Sequence, residues 1–264
     1  MKKEKAKIIN SVSQLDLCRG FERIYFGDEF CEYKMPSVED LAVLKNKAHG
    51  KKITAVFPYI PQSSFKKIIK PLDFIAKNAQ IFDEIVFNDW GFFYYIRENY
   101  PDLKLAIGRL LTKQKTDPFA RDIILNRQKA ASLKHKVFIP KKVPFETLDY
   151  FGQNAANSSI FHKFMKKNNI IRVELDALAW KSEIKLPPYI KSSIYYPYAK
   201  ISTTRYCGQL NMVEKNCLKQ CEKNIISLKK YRTKFSYIIK GNAIFFKNEK
   251  SAVKNQSDRI VYND

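Results

Sequence analysis

Short apolar runs rich in β-branched and aromatic residues recur along the chain at 23–27, 52–57, 84–88, 103–108, 136–140 and 170–175. Runs of this length, bounded by polar or glycine positions, predict strands. Between them the apolar positions take a helical period, and each helical stretch carries a start signal. Pro36-Ser37 precedes 38–48, and Gln62-Ser63-Ser64 precedes 65–82, where Pro71 predicts an interruption. Asn88-Asp89 precedes 90–99, and Asp117-Pro118 opens 119–133. Strand and helix alternate at intervals of about 30 residues, the rhythm of βα units on a parallel sheet. At least six such units in 264 residues favour an α/β fold of the TIM type, a (β/α) barrel, allowing for an incomplete or distorted ring, over an open doubly wound sheet.

The last third reads differently. Residues 192–205 form one long aromatic and β-branched run, and 235–247 reads as a C-terminal β-hairpin around Lys240-Gly241-Asn242. Residues 259–262 have the composition of a final strand. No Pro-, Gly- or Ser-rich linker divides the chain, so a single domain is expected over 1–264. The eight glycines are scattered, and no glycine-rich phosphate loop follows the first predicted strand, which argues against a nucleotide-binding sheet.

Charge changes the picture only in part. Lys plus Arg number 48 against 26 Asp plus Glu, a net charge of +22. That excess is compatible with an RNA partner. Lys outnumbers Arg about fourfold and is spread in pairs along the whole chain, which also suits a solvated surface facing an anionic small-molecule substrate. No apolar run approaches the roughly 20 residues that a membrane helix needs, so no membrane span is expected. The basic N-terminus lacks the apolar stretch of a secretory signal, and a cytoplasmic location is expected.

In that compartment the five cysteines are expected as thiols, and metal or catalytic roles come before disulfides. If 216–223 is helical, Cys217 and Cys221 stand one turn apart on one face, with Cβ atoms roughly 6 Å apart. Cys207, at the end of a strand-like run, can reach the same point. Cys31 follows an early strand, and segments after barrel strands converge on the C-terminal face; Cys18 precedes that strand and belongs to the other end. Four thiolates suit either a [4Fe–4S] cluster or structural zinc, and small buried hydrophobes are the plain alternative. The distance of Cys31 from the others in sequence favours a cluster built into a barrel mouth.

Three stretches together carry a resemblance: Ile24-Tyr-Phe-Gly-Asp-Glu-Phe-Cys31, Ile85-Val-Phe-Asn-Asp-Trp-Gly91, and Thr204-Arg-Tyr-Cys207 with Cys217 and Cys221. In these the chain resembles the collagenase-like peptidase family U-thirty-two, most closely its UbiV-like iron–sulfur proteins. The resemblance implies a [4Fe–4S] cluster on Cys31, Cys207, Cys217 and Cys221. It implies a redox enzyme or enzyme subunit taking part in oxygen-independent hydroxylation of a small aromatic or anionic substrate, as one half of a heterodimer with a related family member. Relatives similar to tRNA or rRNA hydroxylases make RNA modification an alternative, and the family name makes a peptidase another.

The resemblance also points to Asn88 and Asp89, at the end of a strand, and to Glu174, which matches a Glu carried by many members. The His-Gly that commonly follows that Glu is replaced here by Asp176-Ala-Leu-Ala-Trp180. Capping of the helix at 90 is the simpler role for Asn88 or Asp89, and a surface ion pair with Arg172 the simpler role for Glu174. Arg109 and Arg205 are the arginines best placed to meet an anionic substrate, unless they are solvated or ion-paired. His49, His135 and His162 stand alone, and no catalytic triad or His-Glu-x-x-His zinc motif is present.

Overall fold

The computed structural model describes residues 3–48, 50–117, 153–178, 184–207, 217–222, 224–228, 236–248 and 257–264. Its strands are β1 (Glu4–Ile9), β2 (Arg23–Gly27), β3 (Lys52–Val56), β4 (Phe82–Phe87), β5 (Leu105–Ile107), β6 (Ile170–Asp176), β7 (Lys191–Tyr196), β8 (Tyr198–Thr203), β9 (Ile226–Leu228), β10 (Tyr237–Lys240), β11 (Ala243–Lys247) and β12 (Arg259–Tyr262). Eight of them close into a barrel in the order β1-β12-β7-β6-β5-β4-β3-β2, parallel throughout. This is the TIM-type arrangement that the alternating pattern predicts. The other four strands form an antiparallel sheet, β8-β11-β10-β9, built around the expected hairpin.

The helices described are α1 (Val38–Lys47), α2 (Lys66–Lys77), α3 (Trp90–Asn99) and α4 (Ser159–Lys167). Ser37 caps α1 by accepting from the Asp40 N–H, and Asp89 caps α3 by accepting from the Phe92 N–H. Outward-facing strand residues such as Ile53, Ile85 and Leu105 pack with Leu41, Leu72 and Phe93 in the main core. A smaller core inside the barrel contains Tyr25, Val56, Val86, Ala106, Tyr195 and Val261.

Three expectations change. α2 runs through Pro71 without interruption: Ile68, Pro71, Leu72 and Ile75 form one buried stripe, and its burial offsets the single backbone bond that proline removes. The run at 192–205 is two strands in different sheets, separated at Pro197, which has no N–H to pair. β1 went unpredicted because lysines alternate with its apolar residues; Lys7 is 7% exposed and reaches the Asp264 carboxylate at 2.6 Å. The predicted strand 136–140 and helix 119–133 lie outside the described residues, and the barrel closes with β5 directly on β6, Leu105 opposite Ile170. Among the described residues no helix is long and apolar enough to cross a membrane.

Candidate metal centre and substrate cleft

The C-terminal ends of the barrel strands build the site. β2 leaves the sheet at Gly27, whose φ of +122° and whose approach to Val56 admit no side chain; a Cβ there would lie 2.2 Å from the Val56 carbonyl oxygen. The next four residues, Asp28 to Cys31, are pinned from both sides. The Asp28 carboxylate accepts the N–H groups of Phe30 (2.8 Å) and Cys31 (3.1 Å).

Glu29 is the anchor of this loop. Only 1% exposed, it accepts from the backbone N–H of Arg109 at 3.0 Å and from Arg109 Nε at 2.5 Å. Arg109 NH1 donates to Asp176 Oδ1 at 2.7 Å, and its guanidinium lies over the Tyr195 ring, 3.8 Å from the centroid. Two buried carboxylates and an aromatic face occupy this cation. Arg109 therefore ties the loop to β6 and is not offered to an external anion. Asn88 completes the tie: Nδ2 donates to the Phe57 carbonyl (3.0 Å) and to Glu29 (3.4 Å), while Oδ1 accepts from the Leu110 N–H (3.1 Å). Asn88 thus supports the loop and Asp89 caps α3.

Cys31 and Cys207 line one space at this mouth, Cys31 and Cys221 a second beside it, and all five thiols are free. Burial, reinforced by Asp28, pushes the Cys31 thiol up to about 12, and Cys217 is close enough to act on it electrostatically. Cys221 is buried on a 3-10 turn (Gln220–Glu222), and its sulfur lies 3.6 Å from where a Cβ on Gly241 would stand. Cys207 and Cys31 both line the open cleft. The helix expected over 216–223 does not form among the described residues: Cys217 precedes the 3-10 turn, and Lys219 takes a left-handed φ of +52°. A turn this short does not align the two thiols as one α-helical turn does.

Among the described residues no three His, Cys, Asp or Glu side chains are grouped closely enough to hold a metal ion. The four thiols match a thiolate-held cluster in donor type and number, but their placement does not bring three of them together as ligands. Cys18 lies elsewhere, buried in the main core, with burial raising its thiol to about 11.

Cys31, Phe30 and Asn242 separate two spaces. One is an open cleft of about 1100 Å³ whose walls include Tyr33, Tyr59, Leu110, Lys113, Lys200 and Arg205. There the Arg205 guanidinium stacks on Tyr59 at 4.5 Å from the ring centroid and donates to its hydroxyl at 2.7 Å. The other is a smaller cavity of about 130 Å³, lined among others by Ile8, Ile238, Phe245, Lys34, Lys240 and Cys221.

Glu174 lies deeper, fully buried in the barrel, and borders neither space. It accepts from the Tyr25 hydroxyl (3.2 Å) and the Ser193 hydroxyl (3.1 Å), and burial raises its carboxyl to about 7. The expected surface pair with Arg172 is absent: Arg172 bonds to Glu84 at 3.3 Å and Asp258 at 2.9 Å, both near the N-terminal end of the barrel. Burial also opposes the charge of Glu84, but Arg259, Arg172 and Arg23 outweigh it and hold that carboxyl down to about 2. Glu174 is thus part of the barrel's polar filling and does not reach a substrate at the mouth. His162 directs Nε2 to the Ala156 carbonyl at 2.6 Å; His49 and His135 lie outside the described residues.

Sequence reasoning missed Glu29, Asp176, Lys34 and Tyr59. Each sits at a strand end or in the segment after it, and no local spacing marks them. The one available signal is the acidic pair Asp28-Glu29 immediately before Cys31. No protein-family model, curated protein or solved structure matches this chain.

Proposed function

We propose that this chain is an iron–sulfur protein of the UbiV-like kind, holding a [4Fe–4S] cluster through Cys31, Cys207, Cys217 and Cys221 and taking part in oxygen-independent hydroxylation, or a related redox modification, of a small aromatic or anionic substrate. The observation that supports the reading is that Cys31, on a loop braced by Glu29 and Arg109, shares the open cleft with Cys207 and the neighbouring small cavity with Cys221. The alternative of cysteines serving as small hydrophobes accounts for Cys18 in the core but not for Cys31 and Cys207 on a cleft wall. When bound, the cluster supplies one-electron transfer at a potential set by burial and by hydrogen bonds to its sulfurs.

The chain's own residues do the rest. The Glu29–Arg109–Asp176 chain fixes the Cys31 loop, and Tyr33 and Tyr59 offer aromatic faces to a planar substrate. Arg205, Lys113 and Lys200 make the cleft electropositive, suited to carboxylate or phosphate. A heterodimer with a related family member belongs to the same reading. Iron, acid-labile sulfide and zinc are measured on protein purified without oxygen, together with the visible spectrum. Iron and sulfide in equal amounts with a broad thiolate-to-iron band support the reading; stoichiometric zinc, or no metal, overturns it in favour of a structural or binding protein.

The basic, aromatic-lined cleft and the net charge of +22 favour a second reading, modification of tRNA or rRNA. Aromatic faces beside cations are how unstacked bases are held. Binding to tRNA whose log affinity falls steeply and linearly with log salt supports it, and affinity too weak to measure at low salt removes it. The peptidase reading finds no Ser–His or Cys–His pair among the described residues, where His162 is directed at the Ala156 carbonyl.

A further inference from the structure

Arg205 lines the open cleft with its charge uncompensated. Its guanidinium stacks on the Tyr59 ring, 4.5 Å from the centroid, and donates one bond of 2.7 Å to the Tyr59 hydroxyl. Among the described residues no carboxylate lies within ion-pair distance of Arg205, or of Lys113 and Lys200 on the same wall. Both halves of the stacked pair are held by their backbones. Tyr59 stands in the segment Pro58-Tyr-Ile-Pro61, where two proline rings restrict the chain. The segment carrying Arg205 is tied to the turn between β10 and β11: the Thr204 N–H donates to the Asn242 carbonyl at 3.0 Å, and Asn242 Nδ2 donates to the carbonyls of Thr204 and Phe30 at 2.7 Å each. A guanidinium held by its flat face keeps its remaining N–H groups in a planar fork, which suits two oxygens of one anion.

Charge then selects among anions. Lys113, Lys115, Lys200 and Arg205 share the cleft wall with two acidic residues, Glu32 and Asp117, an excess of two positive charges among the described residues. Both carboxylates accept from hydroxyls, Glu32 from Ser64 and Asp117 from Tyr237 at 3.0 Å. Burial lowers the pKa of the Lys200 ammonium although Asp176 opposes the shift, as befits a cation whose compensation is incomplete. A carboxylate neutralises only part of this excess, whereas a phosphate monoester, with about two negative charges at neutral pH, matches it. The volume of about 1100 Å³ has room for the phosphate together with the group it esterifies.

We propose that the open cleft recognises a phosphate monoester, and that Arg205, held on Tyr59, is the residue that selects it, with Lys200 as a second contact. The inference rests on the choice of the open cleft as substrate site in the reading above, not on the metal centre.

The test is isothermal titration calorimetry of the full-length parent, Arg205→Ala, Arg205→Lys and Lys200→Gln with phenyl phosphate, benzoate and tRNA at one ionic strength. Folding is checked by circular dichroism, and iron is counted in every sample. Phenyl phosphate is expected to bind the parent more tightly than benzoate does and to lose about tenfold or more in Arg205→Ala. Arg205→Lys, which keeps the charge without the planar fork, is expected to restore part of that loss, and Lys200→Gln to lose less. No binding of phenyl phosphate to the parent, equal affinity for benzoate, or unchanged affinity in folded Arg205→Ala overturns the proposal. Binding of tRNA that is lost in Arg205→Ala, with no binding of phenyl phosphate, assigns the cleft to RNA and also overturns it. An iron-loaded parent that ignores phenyl phosphate removes this inference and leaves the cluster reading intact; an iron-free parent that binds it through Arg205 does the reverse.

Discussion

Arg109 Nε and the Glu29 carboxylate meet at 2.5 Å with both side chains buried, two residues ahead of Cys31. The contact couples the end of β5 to the loop after β2, and a second bond from Arg109 to Asp176 at 2.7 Å extends the coupling to β6. Removing one partner of a buried ion pair leaves the others uncompensated, at a cost of about 3–5 kcal/mol. Arg109→Ala is therefore expected to lower unfolding stability by that amount in urea titration, and to release the Cys31 loop. Unchanged stability would show that the pair holds nothing together.

Gly108 tests the other support of the loop. A Cβ at this position would lie 2.2 Å from Asn88 Oδ1, so Gly108→Ala must displace the Asn88 amide and its bonds to Phe57 and Leu110. Overpacking together with lost buried bonds predicts a destabilisation of roughly 2–4 kcal/mol, read as a lower melting temperature. Asn88→Ala makes room for the new methyl, so the double variant should lose less than the sum of the two single variants.

Glu174 gives a pH prediction. Burial raises its carboxyl from the ordinary 4.5 to about 7 in the folded protein. Between those values the folded state binds the extra proton, so the Glu174 contribution to stability is full below pH 4.5 and is lost as pH rises through 7. The span corresponds to about 3 kcal/mol. Glu174→Gln, which cannot titrate, should remove that fall, so the stability difference between variant and parent grows in the variant's favour from pH 5 to pH 8. A difference independent of pH would show that Glu174 keeps its charge when folded.

The sequence carried the barrel because its strands are buried runs between capped helices; Ser37 and Asp89 are legible as caps from their position alone. It hid β1, where lysines interrupt the apolar pattern and a distant residue, Asp264, neutralises one of them. It also hid the division at Pro197, because a run that changes sheets has the same composition on either side. At the site, the cap role of Asp89 was readable. The assignments of Arg109 to an anion and of Glu174 to a surface pair or substrate were not supported, since burial and partners arise from strands as far apart in sequence as Glu29 and Asp176. Lys34 looks like any other lysine in a chain with 48 basic residues until its burial is known.

The central claim is that four specific thiols, and not the fifth, form a metal centre. The most direct measurement is iron and acid-labile sulfide in the five single Cys→Ala variants beside the parent, all purified without oxygen. About four irons and four sulfides per chain are predicted for the parent and for Cys18→Ala, with loss in Cys31→Ala, Cys207→Ala, Cys217→Ala and Cys221→Ala. Iron retained in any two of those four variants, or a parent that holds zinc or no metal, would contradict the account.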